Sequence, residues 1–338
     1  MPSRLFVSPL RPRHFVLGIM LAVALTMIVI FAALVIQSHQ RMMHEGKQIT
    51  RDMAKLMQNQ MIHILDVANT ILSLERIEQD GNVSVRNTHR PLLLNLVRDK
   101  PYLFRIFLSD SKGDVIATSM TDPPPLNIAA RSYFNLHQRG VVGPIITTGV
   151  QSQASGEPII IMSRALLNPA GQFVGVATVS FNLDGLAQYF EKLAPTEYGS
   201  VFQLIAHDGR ILVDVSPPPE LRYRLVEPEI WDVIKTNRTD VAIYESLDHV
   251  PRIWAHRSIP GTDLFIRVGT DRAQITRKWH QDLIDYAMVA LLAFAGLTVL
   301  TLLAVRYADR EEKERNDLRV RNDQLEQALS ARTAEHGS

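Results

Sequence analysis

The segment RSYFNLHQRG (131–140) precedes three apolar runs, GPIITTG (143–149), EPIIIMSRALL (157–167) and GQFVGVATVSFNLDG (171–185). Gly, Pro and Asn separate the runs, and β-branched residues between such turn residues are typical of β-strands. The order predicts a small curved sheet that holds a side-chain cluster against its concave face. We interpret this cluster as a ligand pocket that the rest of the chain serves.

The bulk composition excludes several classes of protein. The formal net charge of the 338 residues is +1, and Lys and Arg form no cluster, so we expect no nucleic-acid partner. Cysteine is absent, which excludes a disulfide framework and a thiolate metal site. No histidine pair has metal-ligand spacing, and no nucleophile or phosphate-loop motif is present. We therefore expect no cofactor, no metal and no catalytic module in this chain.

Two apolar segments predict membrane crossings. Residues 15–36 carry no charge over 22 residues, and a helix of that length spans about 33 Å, which matches a bilayer core. The alternative of a cleaved signal peptide fits poorly, because the apolar run is too long and no small-residue cleavage pattern follows it. A second apolar run covers 286–305. Arg residues precede the first run, and Arg and Lys follow the second. The positive-inside rule therefore places both termini in the cytoplasm and the segment between the runs outside.

Helical spacing predicts a long rod after the first span. Apolar residues recur at alternating steps of four and three, interrupted by one glutamine, at Met53, Met57, Gln60, Ile64, Val67, Ile71 and Leu74. This stripe could pair with its copy in a dimer or lie against a sheet, and the pattern breaks at 80–82. Beyond the second span, Leu318, Asn322, Leu325 and Leu329 have coiled-coil spacing. A homodimeric coiled coil and a lone solvated helix are both open at this point.

A tandem duplication lies between the crossings. LFRIFLSDSKGDVIATS (103–119) and VFQLIAHDGRILVDVS (201–216) each contain a strand, a Gly-containing turn and a second strand, and further strand patterns follow both. The predicted fold is α+β, with two transmembrane helices flanking a long outer helix and two antiparallel-sheet modules, followed by a cytoplasmic coiled coil. The predicted boundaries are 1–14 (cytoplasmic N-terminus), 15–36 (first span), 37–78 (outer helix), 79–194 (membrane-distal module), 195–270 (membrane-proximal module), 271–282 (connecting helix), 283–305 (second span) and 306–338 (coiled coil).

This order of features resembles the double Cache sensor input, a tandem PAS-like (PDC) arrangement, of bacterial transmembrane histidine kinases and diguanylate cyclases. The resemblance covers about 37–275 and rests on RSYF (131–134), GP (143–144), SR (163–164), GQFVGV (171–176) and HDGRIL (207–212). It implies a receptor in the bacterial inner membrane with a periplasmic sensor region. The alternatives are a truncated input half of a sensor kinase or cyclase, and a non-sensing scaffold that binds a periplasmic protein.

The resemblance also implies a site in the membrane-distal module. In such sensors the Arg and Tyr of the R-x-Y-F segment contact the ligand, which implies roles for Arg131 and Tyr133, and we include the adjacent Phe134. The amino-acid-binding branch carries Asp at two further places, which are Thr147 and Ser180 here. Without those charges an α-amino acid fits poorly. A small carboxylate is expected, because Arg131 and Arg164 can each form charge-assisted bonds to an anion.

Other roles are open for these side chains. Arg131 could cap a surface helix or pair with Asp122, and Arg164 could line the pocket or lie at its rim. His137 fits a surface or hydrogen-bonding residue better than a ligand contact. The partners that we expect are a small anionic solute, the membrane, a second copy of the chain, and a cytoplasmic histidine kinase or diguanylate cyclase.

Overall fold

The structure is a computed structural model that describes residues 12–74, 93–98, 100–121, 124–153, 155–194, 198–215, 224–236, 241–245 and 249–335. Along the chain, two antiparallel five-stranded sheets are preceded by one long helix and followed by another, and each helix contains an apolar segment. The predicted α+β class is therefore confirmed. The helix break predicted at 80–82 lies outside the described residues.

The first sheet consists of β1 (Leu103–Asp110), β2 (Val115–Thr118), β3 (Ile145–Gln151), β4 (Pro158–Leu167) and β5 (Phe173–Asn182). Its strand order is β2-β1-β5-β4-β3. Helix α2 (Ser132–Gln138) lies between β2 and β3 in the chain, and α3 (Leu183–Leu193) follows β5 without a gap. Asn182 caps α3, because its side-chain oxygen accepts hydrogen bonds from the backbone N–H groups of Asp184 and Gly185.

The second sheet repeats this arrangement. It consists of β6 (Val201–Ala206), β7 (Ile211–Asp214), β8 (Val241–Glu245), β9 (Pro251–Ser258) and β10 (Leu264–Asp271), in the order β7-β6-β10-β9-β8. Helix α4 (Pro228–Thr236) lies between β7 and β8, and α5 (Arg272–Glu335) follows β10 directly. Each sheet thus has its first strand hydrogen-bonded to its last strand, and the two sheets have the same strand order.

Helix α1 (Pro12–Leu74) supplies one side of the main hydrophobic core. Its buried side chains pack with apolar residues of both sheets, and they include Met53, Ala54, Met57, Met61, Ile64, Leu65, Ala68, Ile71 and Leu72. The predicted stripe contained Gln60 and Val67, whereas the fully buried residues are one position later, at Met61 and Ala68. A helix packed on a sheet buries a broad face with a period of 3.6 residues, and this period moves the stripe away from strict steps of four and three.

Hydrogen bonds also join α1 to helix α3 and to the second sheet. The Gln60 side chain accepts from the Tyr189 hydroxyl at 3.0 Å, and Gln58 donates to the carbonyl of Ser258 at 2.6 Å. Of the two arrangements open for the α1 stripe, the structure has the one in which it lies against the sheets.

The chain divides into two compact units, 1–42 with 277–338, and 43–276. In the first unit two helical segments are long and apolar enough to cross a membrane by length and composition. Their side chains face outward, with Leu21 73% and Leu291 70% exposed. Near the ends of these segments the Trp279 indole donates to the Ser38 hydroxyl at 3.1 Å and meets His39 edge to face.

Candidate functional site

A cavity of about 40 Å³ lies on the face of the first sheet that is turned away from α1. Its polar lining comes from Arg105, Arg131, Tyr133, Gln151, Ser152, Gln153 and Ser180, and its apolar lining from Phe107, Val115, Met120, Leu126, Ile128, Ile159 and Ile161. No acidic side chain occurs among these described lining residues. Since a few tens of cubic ångströms hold only a few water molecules, the cavity suits a small solute.

Helix α2 brings Arg131 and Tyr133 to the cavity. Arg131 is the residue before the helix and has an extended backbone, while the Tyr133 side chain is buried. The Arg131 guanidinium donates through Nη2 to the carbonyl of Gln151 at 3.1 Å. Burial raises the pKa of Tyr133 to about 12, against the opposing effect of the nearby Arg131 charge. At neutral pH Tyr133 is therefore an uncharged hydroxyl beside a cation.

A second arginine reaches the cavity from β1, where Arg105 and Phe107 line the cavity and Ile106 and Leu108 lie in the core that contains α1. The register between β1 and β5 shifts between Leu103 and Arg105. Leu103 packs in the core that contains α1, whereas Arg105 lines the cavity on the other face. Residues 103 and 105 would share a face in a regular strand, so the shift accounts for Leu103 lying on the α1 side, while Arg105 keeps the face of Phe107. Burial lowers the pKa of Arg105, while the charge of Glu157 acts in the opposite direction.

Ser180 lines the cavity from β5, the central strand. It pairs with Arg105 on one side and Ile161 on the other, and its hydroxyl donates to the carbonyl of Arg105 at 3.2 Å. Three of the six predicted site residues, Arg131, Tyr133 and Ser180, are thus brought together at one cavity.

The other three predicted residues lie outside the described lining. Phe134 is buried in the neighbouring apolar cluster and meets Phe173 edge to face. Thr147 pairs with Ile161 on β3. Strand alternation places Arg164 on the α1 side of β4, where Nη1 donates to Ser73 Oγ at 3.0 Å. Ligand contact by any of the six residues remains a prediction. The sequence also suggested an ion pair between Arg131 and Asp122, and Asp122 lies outside the described residues.

Sequence reasoning missed Arg105. The available signal was an arginine inside the otherwise apolar run LFRIFL (103–108). Alternation assigns a residue to one of two faces only, and it does not identify which face carries the cavity.

His137 is a buried hydrogen-bonding residue. Its Nδ1 lies 2.6 Å from the carbonyl oxygen of Val141, and its Nε2 lies 3.0 Å from Ser163 Oγ. Because a carbonyl only accepts, Nδ1 carries the proton, and Nε2 of the neutral ring accepts from the serine hydroxyl. Burial lowers the pKa of His137, more than these two hydrogen bonds raise it.

The equivalent face of the second sheet is filled by an indole ring. Asn182 and Asp271 each end the last strand of their sheet directly before a helix, so Ser180 corresponds to Gly269. A Cβ at Gly269 would lie 2.7 Å from the ring of the buried Trp254. The Arg267 guanidinium carbon lies 3.8 Å from the centre of that ring. The position that lines a cavity in the first sheet is therefore covered by an aromatic side chain in the second.

The comparisons with known proteins agree with this architecture. The extracellular domain of the candidate histidine kinase rpHK1S-Z16 is 20% identical, with a TM-score of 0.58 over 69% of this chain and 98% of that one. The V. cholerae histidine kinase DctB sensor domain is 16% identical, with a TM-score of 0.51 over 67% and 97%. The ligand-binding domain of the Pseudomonas fluorescens chemoreceptor CtaA, solved with L-isoleucine, is 16% identical, with a TM-score of 0.52 over 71% and 98%.

No curated protein matches the chain. At these identities the solved structures establish the fold alone. The Cache domain family model matches residues 36–279, which is more than half of the chain, and confirms the predicted resemblance. This chain belongs to the Cache domain family.

Proposed function

We propose that this chain is a two-pass receptor of the bacterial inner membrane that binds a small carboxylate in the cavity of its first sheet. The observation that carries the proposal is the pair of arginines, Arg105 and Arg131, in a cavity with no acidic side chain among the described lining residues. Guanidinium groups form strong charge-assisted hydrogen bonds to carboxylates. Two such groups in one small cavity therefore favour an anion.

The number of arginines matters for signalling. Inverting a two-state population from 1:99 to 99:1 requires about 5.5 kcal/mol of differential binding. One hydrogen bond to a charged group supplies about 1.5 to 3 kcal/mol. At least two such bonds must therefore change together, and Arg105 and Arg131 are the two groups that can supply them.

The proposed signal leaves the sensor region through α5. This helix starts at the residue after β10 and continues to Glu335, so movement of β10 is passed directly to a helix. Near its C-terminus Leu318 is 65% and Leu325 61% exposed, which favours pairing with a second copy of the chain as a coiled coil. The chain itself is proposed to be non-catalytic, with a histidine kinase or diguanylate cyclase as its cytoplasmic partner.

A second candidate is the input half of a longer sensor kinase or cyclase. It is favoured by the likeness to sensor domains of histidine kinases. Both candidates share the same ligand step. An amino acid, as in CtaA, would need an acidic group to balance the charge of its ammonium ion, and the described lining residues provide only hydroxyl and amide groups for it.

The test is a thermal-shift screen of the full chain in lipid nanodiscs. Acetate, propionate, succinate, L-isoleucine and adenine are compared at equal ionic strength. We expect a carboxylate at 100 times its Kd to stabilise the sensor region by about 2.7 kcal/mol. Arg131→Ala and Arg105→Ala should each raise the Kd for the carboxylate about 10- to 100-fold, which lowers the stabilisation at the same ligand concentration.

The matched control is Arg139→Ala, which removes an exposed arginine just after α2. It should respond as the wild type does. Equal responses of wild type, Arg131→Ala and Arg105→Ala to every carboxylate would show that this cavity is not the site.

A further inference from the structure

The segment 126–131, which directly precedes helix α2, forms one wall of the cavity. Leu126, Ile128 and Arg131 line the cavity from this segment. The backbone N–H of Arg131 donates to the carbonyl of Ile128 at 2.9 Å, so the arginine is joined directly to the wall. The position of the segment therefore determines where the Arg131 side chain starts.

Two backbone hydrogen bonds attach this wall to the hairpin of β1 and β2. The N–H of Ile128 donates to the carbonyl of Gly113 at 2.8 Å, and the N–H of Val115 donates to the carbonyl of Leu126 at 3.0 Å. We call this pair of bonds the backbone link. It fixes the two apolar residues of the wall, one on each side of residue 127.

The side chain of Asn127 adds a second attachment. Asn127 is exposed and does not line the cavity. Its Nδ2 donates to Asp114 Oδ1 at 2.8 Å and to the carbonyl of Lys112 at 3.3 Å, and its Oδ1 accepts from the N–H of Ala129 at 2.8 Å. The bond to the carboxylate is charge-assisted and therefore strong. One amide group thus joins the hairpin to the turn that leads into Arg131.

The second module contains the same backbone link. The N–H of Val226 donates to the carbonyl of Gly209 at 2.9 Å, and the N–H of Ile211 donates to the carbonyl of Arg224 at 3.0 Å. These bonds correspond one to one with those of the first module. The duplication therefore shows which part of the attachment belongs to the fold.

The side-chain link differs between the modules. The bridge between Asp114 and Asn127 in the first module corresponds to the bridge between Arg210 and Leu225 in the second. Leu225 is 59% exposed, and an aliphatic side chain forms no hydrogen bonds. The module with leucine at this place keeps the backbone link, and Trp254 covers the position in it that lines the cavity in the first module. The fold thus forms without an asparagine here, and the asparagine occurs in the module that has the cavity.

We propose that Asn127 is a positioning residue of the carboxylate cavity, which acts through Arg131 and the wall 126–131 without touching the ligand. This inference rests on the proposed function, because it assumes that Arg131 binds an anion. Without the side-chain link the wall has additional conformations, and the fraction of molecules in the binding-competent one falls. The apparent Kd rises in inverse proportion to that fraction.

The test compares Asn127→Leu, which copies the second module, with the reciprocal variant Leu225→Asn, in the full chain in lipid nanodiscs. Titrations with acetate, propionate and succinate are followed by thermal shift. We expect Asn127→Leu to raise the Kd of the carboxylate that binds the wild type about three- to tenfold, the factor by which one ordinary hydrogen bond shifts an equilibrium. Asn127→Asp keeps the acceptor for Ala129 but loses the donor to Asp114, so its Kd should rise as well. Leu225→Asn should bind as the wild type does.

Hydrogen–deuterium exchange shows whether the effect is one of positioning. Exchange of the peptide that contains 126–131 should be faster in ligand-free Asn127→Leu than in wild type, and a saturating carboxylate should slow it to the wild-type rate. A merely structural role would lower the melting temperature and leave the Kd unchanged. A wild-type Kd in Asn127→Leu, together with a raised Kd in Arg131→Ala, would overturn the role of Asn127 and leave the proposed function intact. If the wild type binds no carboxylate, the proposed function fails, and the positioning role fails with it.

Discussion

Arg164 and Ser73 are joined by a hydrogen bond of 3.0 Å between Nη1 and Oγ, which attaches the first sheet to α1 on the face opposite the cavity. We expect Arg164→Ala and Ser73→Ala each to lower stability, with a coupling energy of about 1 kcal/mol in a double-mutant cycle. The cycle is measured from denaturation curves of the four variants without ligand.

The same variants distinguish attachment from ligand binding. Because Arg164 points toward α1, Arg164→Ala should keep the carboxylate-induced thermal shift that Arg131→Ala loses. If Arg164→Ala abolishes this shift while Ser73→Ala does not, Arg164 is a ligand contact after all.

Trp254 covers Gly269 so closely that no side chain fits between them. A Cβ at position 269 would lie 2.7 Å from the ring. We expect Gly269→Ala to destabilise the protein by about 1 to 3 kcal/mol, which lowers the melting temperature by about 2 to 4 °C for each kcal/mol.

The control for this steric effect is Gly143→Ala, because a Cβ at Gly143 meets nothing within 4 Å. Its effect should stay within about 0.5 kcal/mol. Equal melting temperatures for the two variants would contradict the close packing of Trp254.

His137 should make the stability of the protein depend on pH. Its folded-state pKa lies below the unfolded value of about 6.5. Between these two values the unfolded chain binds the proton more readily, so the free energy of unfolding falls as the pH drops below about 6.5. Thermal melts between pH 7.5 and 5.0 should therefore show a larger loss for wild type than for His137→Gln.

Other groups also titrate in this range, so a second histidine serves as the reference. His207→Gln changes an exposed histidine in the turn after β6. It should follow the wild-type curve. A wild-type curve that coincides with that of His137→Gln would rule out the buried, neutral state of His137.

The absence of native cysteine allows a direct test of topology. Lys112→Cys places a thiol in the exposed turn after β1, and Asp317→Cys places one on the exposed surface of α5. A membrane-impermeant maleimide should label Lys112→Cys in intact cells and Asp317→Cys only after lysis. The reverse pattern would place the sheets in the cytoplasm and would contradict the proposed receptor.

Local patterns in the sequence were sufficient to predict the α+β class, the two long apolar helices and the duplicated sheet. The apolar runs, the repeated hairpins and the alternation along the strands each depend on residues close together in the chain. For this reason both sheets contain the predicted hairpins, as β1 with β2 and β6 with β7, and the three apolar runs form β3, β4 and β5. The same patterns were insufficient to identify the cavity lining, which includes Arg105 and, among the described residues, does not include Arg164.

The amino-acid sequence by itself established an α+β chain with two long apolar helices and a duplicated sheet, because hydrophobic periodicity reflects local backbone geometry. Which arginines face the cavity depended on tertiary structure. The packing of α1 against one face of the first sheet left the other face, which carries Arg105 and Phe107, for the cavity. This packing arises from contacts between residues far apart in the chain, and a strand pattern carries no information about it.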